Sequence, residues 1–134
     1  MAPAEFTDVV REIVEATADE VVSAYLFGSV ARGEATAKSD IDLAILLRGR
    51  PKGRLTDVRF ALEARIEREI GRRAQVIVLN DAPADLVHNV LLDGRLLLDR
   101  DRSARVQFEV RSRNAYFDLL PTLKLYRRME PSPP

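Results

Sequence analysis

Apolar positions recur along this chain with two alternating periods, and the alternation predicts a mixed α/β domain. Over residues 4–18, Phe6, Val9, Val10, Ile13 and Val14 fall on one face of a helix. Residues 20–27 and 40–47 are short apolar runs of strand length, separated by about a dozen residues with little apolar periodicity. Residues 55–70 return to the helical period, with Leu55, Val58, Leu62, Ile66 and Ile70 inward and Gly71 closing the helix. A third strand is predicted over 74–80. Pro83 then opens a short helix in its first turn, and Gly94 closes it before a brief strand over 95–98. Residues 101–130 read as one long helix that Pro121 kinks or divides. Arg48 to Arg54 is a basic turn with two glycines and a proline, and Glu130 to Pro134 a frayed tail.

Strands alternating with helices suggest a parallel sheet. The first connection, however, is short for a crossover helix, so the first two strands are expected to pair antiparallel within a small mixed sheet. That pairing brings the end of the first strand beside the start of the second, and both ends carry unusual residues. Gly28-Ser29 follows Phe27, and a glycine there lets the backbone turn sharply and approach a ligand. Its N–H groups and the Ser29 hydroxyl can cradle phosphate oxygens. Asp40 and Asp42 open the second strand, where β-propensity gives no reason for acids. At positions i and i+2 they project to one face, about 6–7 Å apart. Two carboxylates so placed suit a hard cation such as Mg²⁺, which usually arrives with substrate phosphates. A phosphate cradle beside a metal clamp is hardware for nucleotide chemistry.

Gly28-Ser29-Val30-Ala31-Arg32-Gly33-Glu34 together with Ser39-Asp40-Ile41-Asp42-Leu43 resembles the signature of the DNA polymerase β-like nucleotidyltransferase superfamily, and most of all its minimal nucleotidyltransferases from prokaryotes. Weaker cues of the same kind are Val76 to Pro83 and Leu92 to Leu97. The resemblance implies a polymerase β-like fold, with a small mixed sheet, flanking helices and a long C-terminal helix. Residues 1–99 would form the nucleotidyltransferase domain, 100–130 a helical extension packed on it, and 131–134 a tail. It also implies transfer of AMP from ATP to a hydroxyl, with Mg²⁺ or Mn²⁺ as cofactor. Asp40 and Asp42 would be the catalytic metal ligands, with Gly28, Ser29, Arg32 and Ser39 as the nucleotide-binding set. Ser39 enters that set as a turn or cap residue orienting Asp40, with no chemistry of its own. Arg32, one helical turn past Ser29, would pair with the phosphate tail or stabilise developing charge.

Active relatives carry a third carboxylate at the start of the third strand. The matching position here is Gln75, which is nearly isosteric with glutamate but neutral and unable to take a proton near pH 7. Asp81 lies roughly 20 Å further along a strand. A contribution from Glu63, Glu67 or Glu69 on the preceding helix stays open. Two functions therefore stand side by side. One is an adenylylating antitoxin whose partner is a HEPN-domain ribonuclease toxin, modified on a tyrosine. The other is a weak or inactive nucleotide-binding module that neutralises the same partner by docking.

Composition narrows the field further. The 134 residues, 46% hydrophobic, suffice for one core. Formal net charge is zero, against a domain that grips nucleic acid by neutralising its phosphates. There is no cysteine, no apolar run near 18 residues and no signal-peptide pattern at Met1 to Glu5, so the expected setting is cytoplasmic, away from membranes. The lone histidine, His88, is expected at a surface or boundary. Phe108, Tyr116, Phe117, Leu119, Leu120, Leu123 and Tyr126 exceed what one helix face can bury in so small a domain. Part of that set is expected to meet a partner or a second copy of the chain.

Overall fold

The computed structural model describes residues 3–33, 39–49 and 55–129. Within them the elements run α1 (Pro3–Thr17), β1 (Val21–Phe27), α2 (Gly28–Ala31), β2 (Ile41–Leu47), α3 (Leu55–Ile70), β3 (Ala74–Val78), α4 (Ala84–Asp93), β4 (Arg95–Asp99) and α5 (Arg102–Met129). The tail, most of the basic turn (Arg50 to Arg54) and the side chain of Leu55 lie outside the described residues.

The four strands form one mixed sheet in the order β3-β2-β1-β4. β1 pairs antiparallel with β2 and with β4, while β2 and β3 are parallel. The short connection between β1 and β2 accordingly makes an antiparallel pair, as its length required. β2 has neighbours on both sides and a helix layer over each face, which explains its nearly continuous apolar sequence.

Alternation along β2 separates two packing layers. Ile41, Leu43, Ile45 and Leu47 join Phe6, Val10, Ile13 and Val14 of α1 and Leu62 and Ile66 of α3 in the larger core. Ala44 and Leu46 join Tyr25, Leu79 and the α4 residues Val87 and Val90 in a smaller one, against which Phe108 of α5 packs. Each fully buried leucine or isoleucine contributes about 1.5–3 kcal/mol.

Three local expectations are corrected. β3 stops at Val78, and Leu79–Asp81 form a 3-10 turn. The cause is Asn80, whose side chain accepts from Leu47 N (2.8 Å) and donates to Leu47 O (2.9 Å). It closes the end of β2, so the chain must leave the strand path there. Pro83 caps α4 from extended backbone (φ −59°, ψ 149°) and stands one residue before its first turn. Pro121 does not divide α5, which runs unbroken through it. Proline removes the bond to the Phe117 carbonyl, but strong helix formers on both sides (Leu119, Leu120, Leu123, Lys124) and an exposed position let the helix continue.

β3 is an edge strand, and its outward donors are covered from α3. Glu67 Oε1 accepts from Ala74 N (3.0 Å) and Glu63 Oε1 from Val76 N (3.1 Å). An open edge invites pairing with foreign strands, and these carboxylates blunt it.

Candidate functional site

Phe27 is the Cα partner of Asp42 across the β1–β2 pair, and Asp42 is the partner of Gln75 across the β2–β3 pair. Registered neighbours point to the same face. The three side chains thus line one end of the sheet, on the face covered elsewhere by α4 and α5. Gly28, the residue after Phe27, has φ +75° and opens the single turn of α2. A Cβ at Gly28 would collide with the Asp42 carboxylate, its Oδ2 first and then Cγ at 3.1 Å. Glycine is needed here twice, for the left-handed backbone and for the close approach.

Asp40 stands just before β2 and is exposed, whereas Asp42 is half-buried. Ser39 O accepts from Arg72 Nη1 (3.5 Å), and Ile41 N donates to Arg73 O (2.8 Å), so the α3–β3 connection holds the backbone on both sides of Asp40. Burial pushes the Asp42 carboxyl above its usual range, the charge of Asp40 pushes it further, and Arg32 pulls it back. The two carboxylates therefore feel one another, and Arg32 is close enough to Asp42 to act on it. Ser29 lies half-buried in α2, and Arg32 is exposed at its end, donating its backbone N–H to Gly28 O (3.2 Å).

The chemistry of this set fits a divalent cation only in part. Two mutually repelling carboxylates, one partly desolvated, would both gain from a cation between them. Among the described residues no group of three or more acidic, histidine or cysteine side chains converges. Glu63 and Glu67 are engaged at the edge of β3, and Glu69 pairs with Arg65 (3.0 Å), so none joins Asp40 and Asp42. Asp81 lies at the other end of β3. Gln75 is exposed beside Asp42 and presents a neutral amide there. Such a pair suits an ion that brings further oxygen ligands on a triphosphate.

Sequence reasoning missed a polar tie on this face. Tyr25 is buried, and its hydroxyl donates to Glu109 Oε1 (2.6 Å), which also accepts from Arg105 Nη1 (3.0 Å). Burial, then the bond to Glu109 and its charge, push the Tyr25 hydroxyl well above its ordinary range. An apolar run containing one tyrosine gave no sign of this partner, which lies 84 residues away. His88 is half-buried and stacks on Tyr116 with ring centroids 3.6 Å apart.

A family model described as "Polymerase beta, Nucleotidyltransferase" matches residues 10–103, a span that holds Gly28, Ser29, Asp40, Asp42 and Gln75. One chain of a toxin–antitoxin structure with AMP-PNP superposes with a TM-score of 0.78 at 20% identity, over 91% of this chain and 95% of that one. A chain of the tri-AMPylated Shewanella oneidensis HEPN toxin in complex with MNT antitoxin gives 0.74 at 17% identity, over 94% and 96%. A chain of the MntA–HepT toxin–antitoxin gives 0.73 at 18%, over 93% and 96%. At these identities the likeness concerns the fold. No curated protein sequence matches the chain significantly.

Proposed function

The chain belongs to the polymerase beta nucleotidyltransferase family, and from that premise we propose that it transfers AMP from ATP to a protein hydroxyl, a tyrosine of a HEPN-domain toxin, as the antitoxin of the pair. The observation that carries this reading is the contact between Gly28 and the Asp42 carboxylate, with Asp40 beside it. It joins a turn fit for phosphate to a pair fit for a cation. The fold neighbours with AMP-PNP and with an AMPylated HEPN toxin support the choice of nucleotide and partner. Among the described residues no helix is long and apolar enough to cross a membrane.

In this reading Gly28 and Ser29 hold the β- and γ-phosphates, Arg32 faces the phosphate tail, and Asp40 and Asp42 hold Mg²⁺ or Mn²⁺. Bound there, the ion supplies charge neutralisation at the α-phosphate. The acceptor oxygen forms a bond to the α-phosphorus, the bond to the β-phosphate breaks, and pyrophosphate leaves with the electron pair. Gln75 cannot take the hydroxyl proton, which passes to water, and turnover is slow for that reason.

Gln75 equally favours a second reading, in which the protein binds nucleotide and neutralises its partner by docking. Gln75→Asp separates the two. If position 75 is the vacated carboxylate site, transfer of labelled AMP to a co-expressed HEPN partner rises by about 10²–10⁴ over wild type. Should neither form transfer label while ATP binds and the partner is still neutralised, the docking module is correct.

A further inference from the structure

Beside the nucleotide site, on the same sheet face, lies a cavity of about 460 Å³ between β1, β4, α4 and α5. Tyr25 is part of its lining. Tyr25 precedes Phe27 by two strand residues, roughly 7 Å, and Phe27 adjoins Asp42 across one inter-strand spacing of about 5 Å. Leu92, Leu96 and Phe117 line it while remaining 67%, 43% and 55% exposed. Val110 (43%) and Val106 (40%) continue the apolar surface along α5, one and two turns before Arg113. Half of the ten large exposed hydrophobics among the described residues are thus gathered here. Contiguous apolar patches of this kind mark protein contacts.

The charges of the cavity differ in availability. Glu109 is held by Tyr25 and Arg105. Arg113 is exposed at the same cavity and makes no ion pair among the described residues. A cation beside an apolar pocket calls for an apolar side chain accompanied by a carboxylate.

Resting on the reading that the substrate is a protein, we infer that this cavity is the docking subsite for the acceptor-bearing segment. An apolar residue of that segment fills the pocket and a neighbouring acidic residue pairs with Arg113. By these spacings Tyr25, in the cavity wall, stands about 9 Å from Asp42 across the sheet, about three residues of extended chain, so the reacting hydroxyl sits within a few residues of the anchor.

Two variants test this, Leu92→Ser/Phe117→Ser and Arg113→Glu, all at exposed positions. Calorimetry measures affinity for a purified HEPN-domain partner and, separately, for ATP with Mg²⁺. Both variants should lose about tenfold or more in partner affinity and keep ATP affinity within about twofold, and Arg113→Glu should flatten the salt dependence of partner binding. Weakened ATP binding with intact partner binding would mean that the cavity holds the base and would overturn the inference. Unchanged partner affinity, or a wild type that does not bind the partner, overturns it as well. If the wild type transfers no AMP but the variants still lose the partner, adenylyl transfer fails as a reading and the docking surface stands.

Discussion

The two faces of the sheet are built from the same four strands and to different ends. Toward α1 and α3, β2 offers only Ile41, Leu43, Ile45 and Leu47, all buried against helix residues that are themselves buried. Toward α4 and α5 it offers Asp42, Ala44 and Leu46, and the small core there gives way at one end to Asp42 and Gln75. The first face is apolar core along the whole of β2. The second keeps a partly desolvated carboxylate whose repulsion from Asp40 works against the fold. Strand alternation lets one segment do both, because the two sets of side chains never share a layer.

The largest effect should come from breaking the first face. Leu62→Ala removes a fully buried side chain from the α1–α3 core and should cost about 2–5 kcal/mol in urea unfolding, with ATP affinity kept in whatever fraction remains folded. Gly28→Ala strikes the junction between the faces. Its left-handed φ and its collision with Asp42 should cost about 1–3 kcal/mol, and displacement of the carboxylate should lower ATP affinity by about tenfold or more in calorimetry.

The smallest stability change, and the sharpest test of the comparison, has the opposite sign. Asp42 has a folded-state pKa above its ordinary value of 3.8, raised by burial and by Asp40. The unfolded chain ionises first as pH rises, so charging Asp42 costs the fold stability from the acid range upward. Asp42→Asn should therefore raise the unfolding midpoint at neutral pH, and the gain should disappear as pH falls below the unfolded value. The same variant should lose the thermal stabilisation that ATP with Mg²⁺ gives the wild type. A destabilised Asp42→Asn at pH 7 would show that the carboxylate is structural, and the contrast between the faces would fail.

Most of the first face was legible in the sequence. Phe6, Val10, Ile13 and Val14 at helical spacing, and Leu62 with Ile66, announced the buried sides of α1 and α3 because a helix repeats its face every 3.6 residues. Gly28-Ser29 and Asp40-Ile41-Asp42 were legible too, since acids and a glycine beside apolar strands break the pattern the strands set. The second face was far less so. Buried Tyr25 and half-buried His88 and Tyr116 take their partners from elements 28 to 84 residues away, and periodicity does not name a neighbour.

By itself, then, the sequence determined all the elements but the short turns at Gly28–Ala31 and Leu79–Asp81, the antiparallel pairing of β1 with β2 through its short connection, and the pair of carboxylates at the start of β2. These are local matters of period, loop length and residue type. Only the tertiary structure decided that β3 lies parallel to β2 in the register that sets Gln75 against Asp42. It also turned Glu63 and Glu67 to the edge of β3 and away from the site. The physical reason is the same in both cases. Strand order and side-chain partners follow from packing between distant segments, where α3 must cover one face and the edge donors of β3 must be satisfied, and no local pattern encodes which distant group will do it.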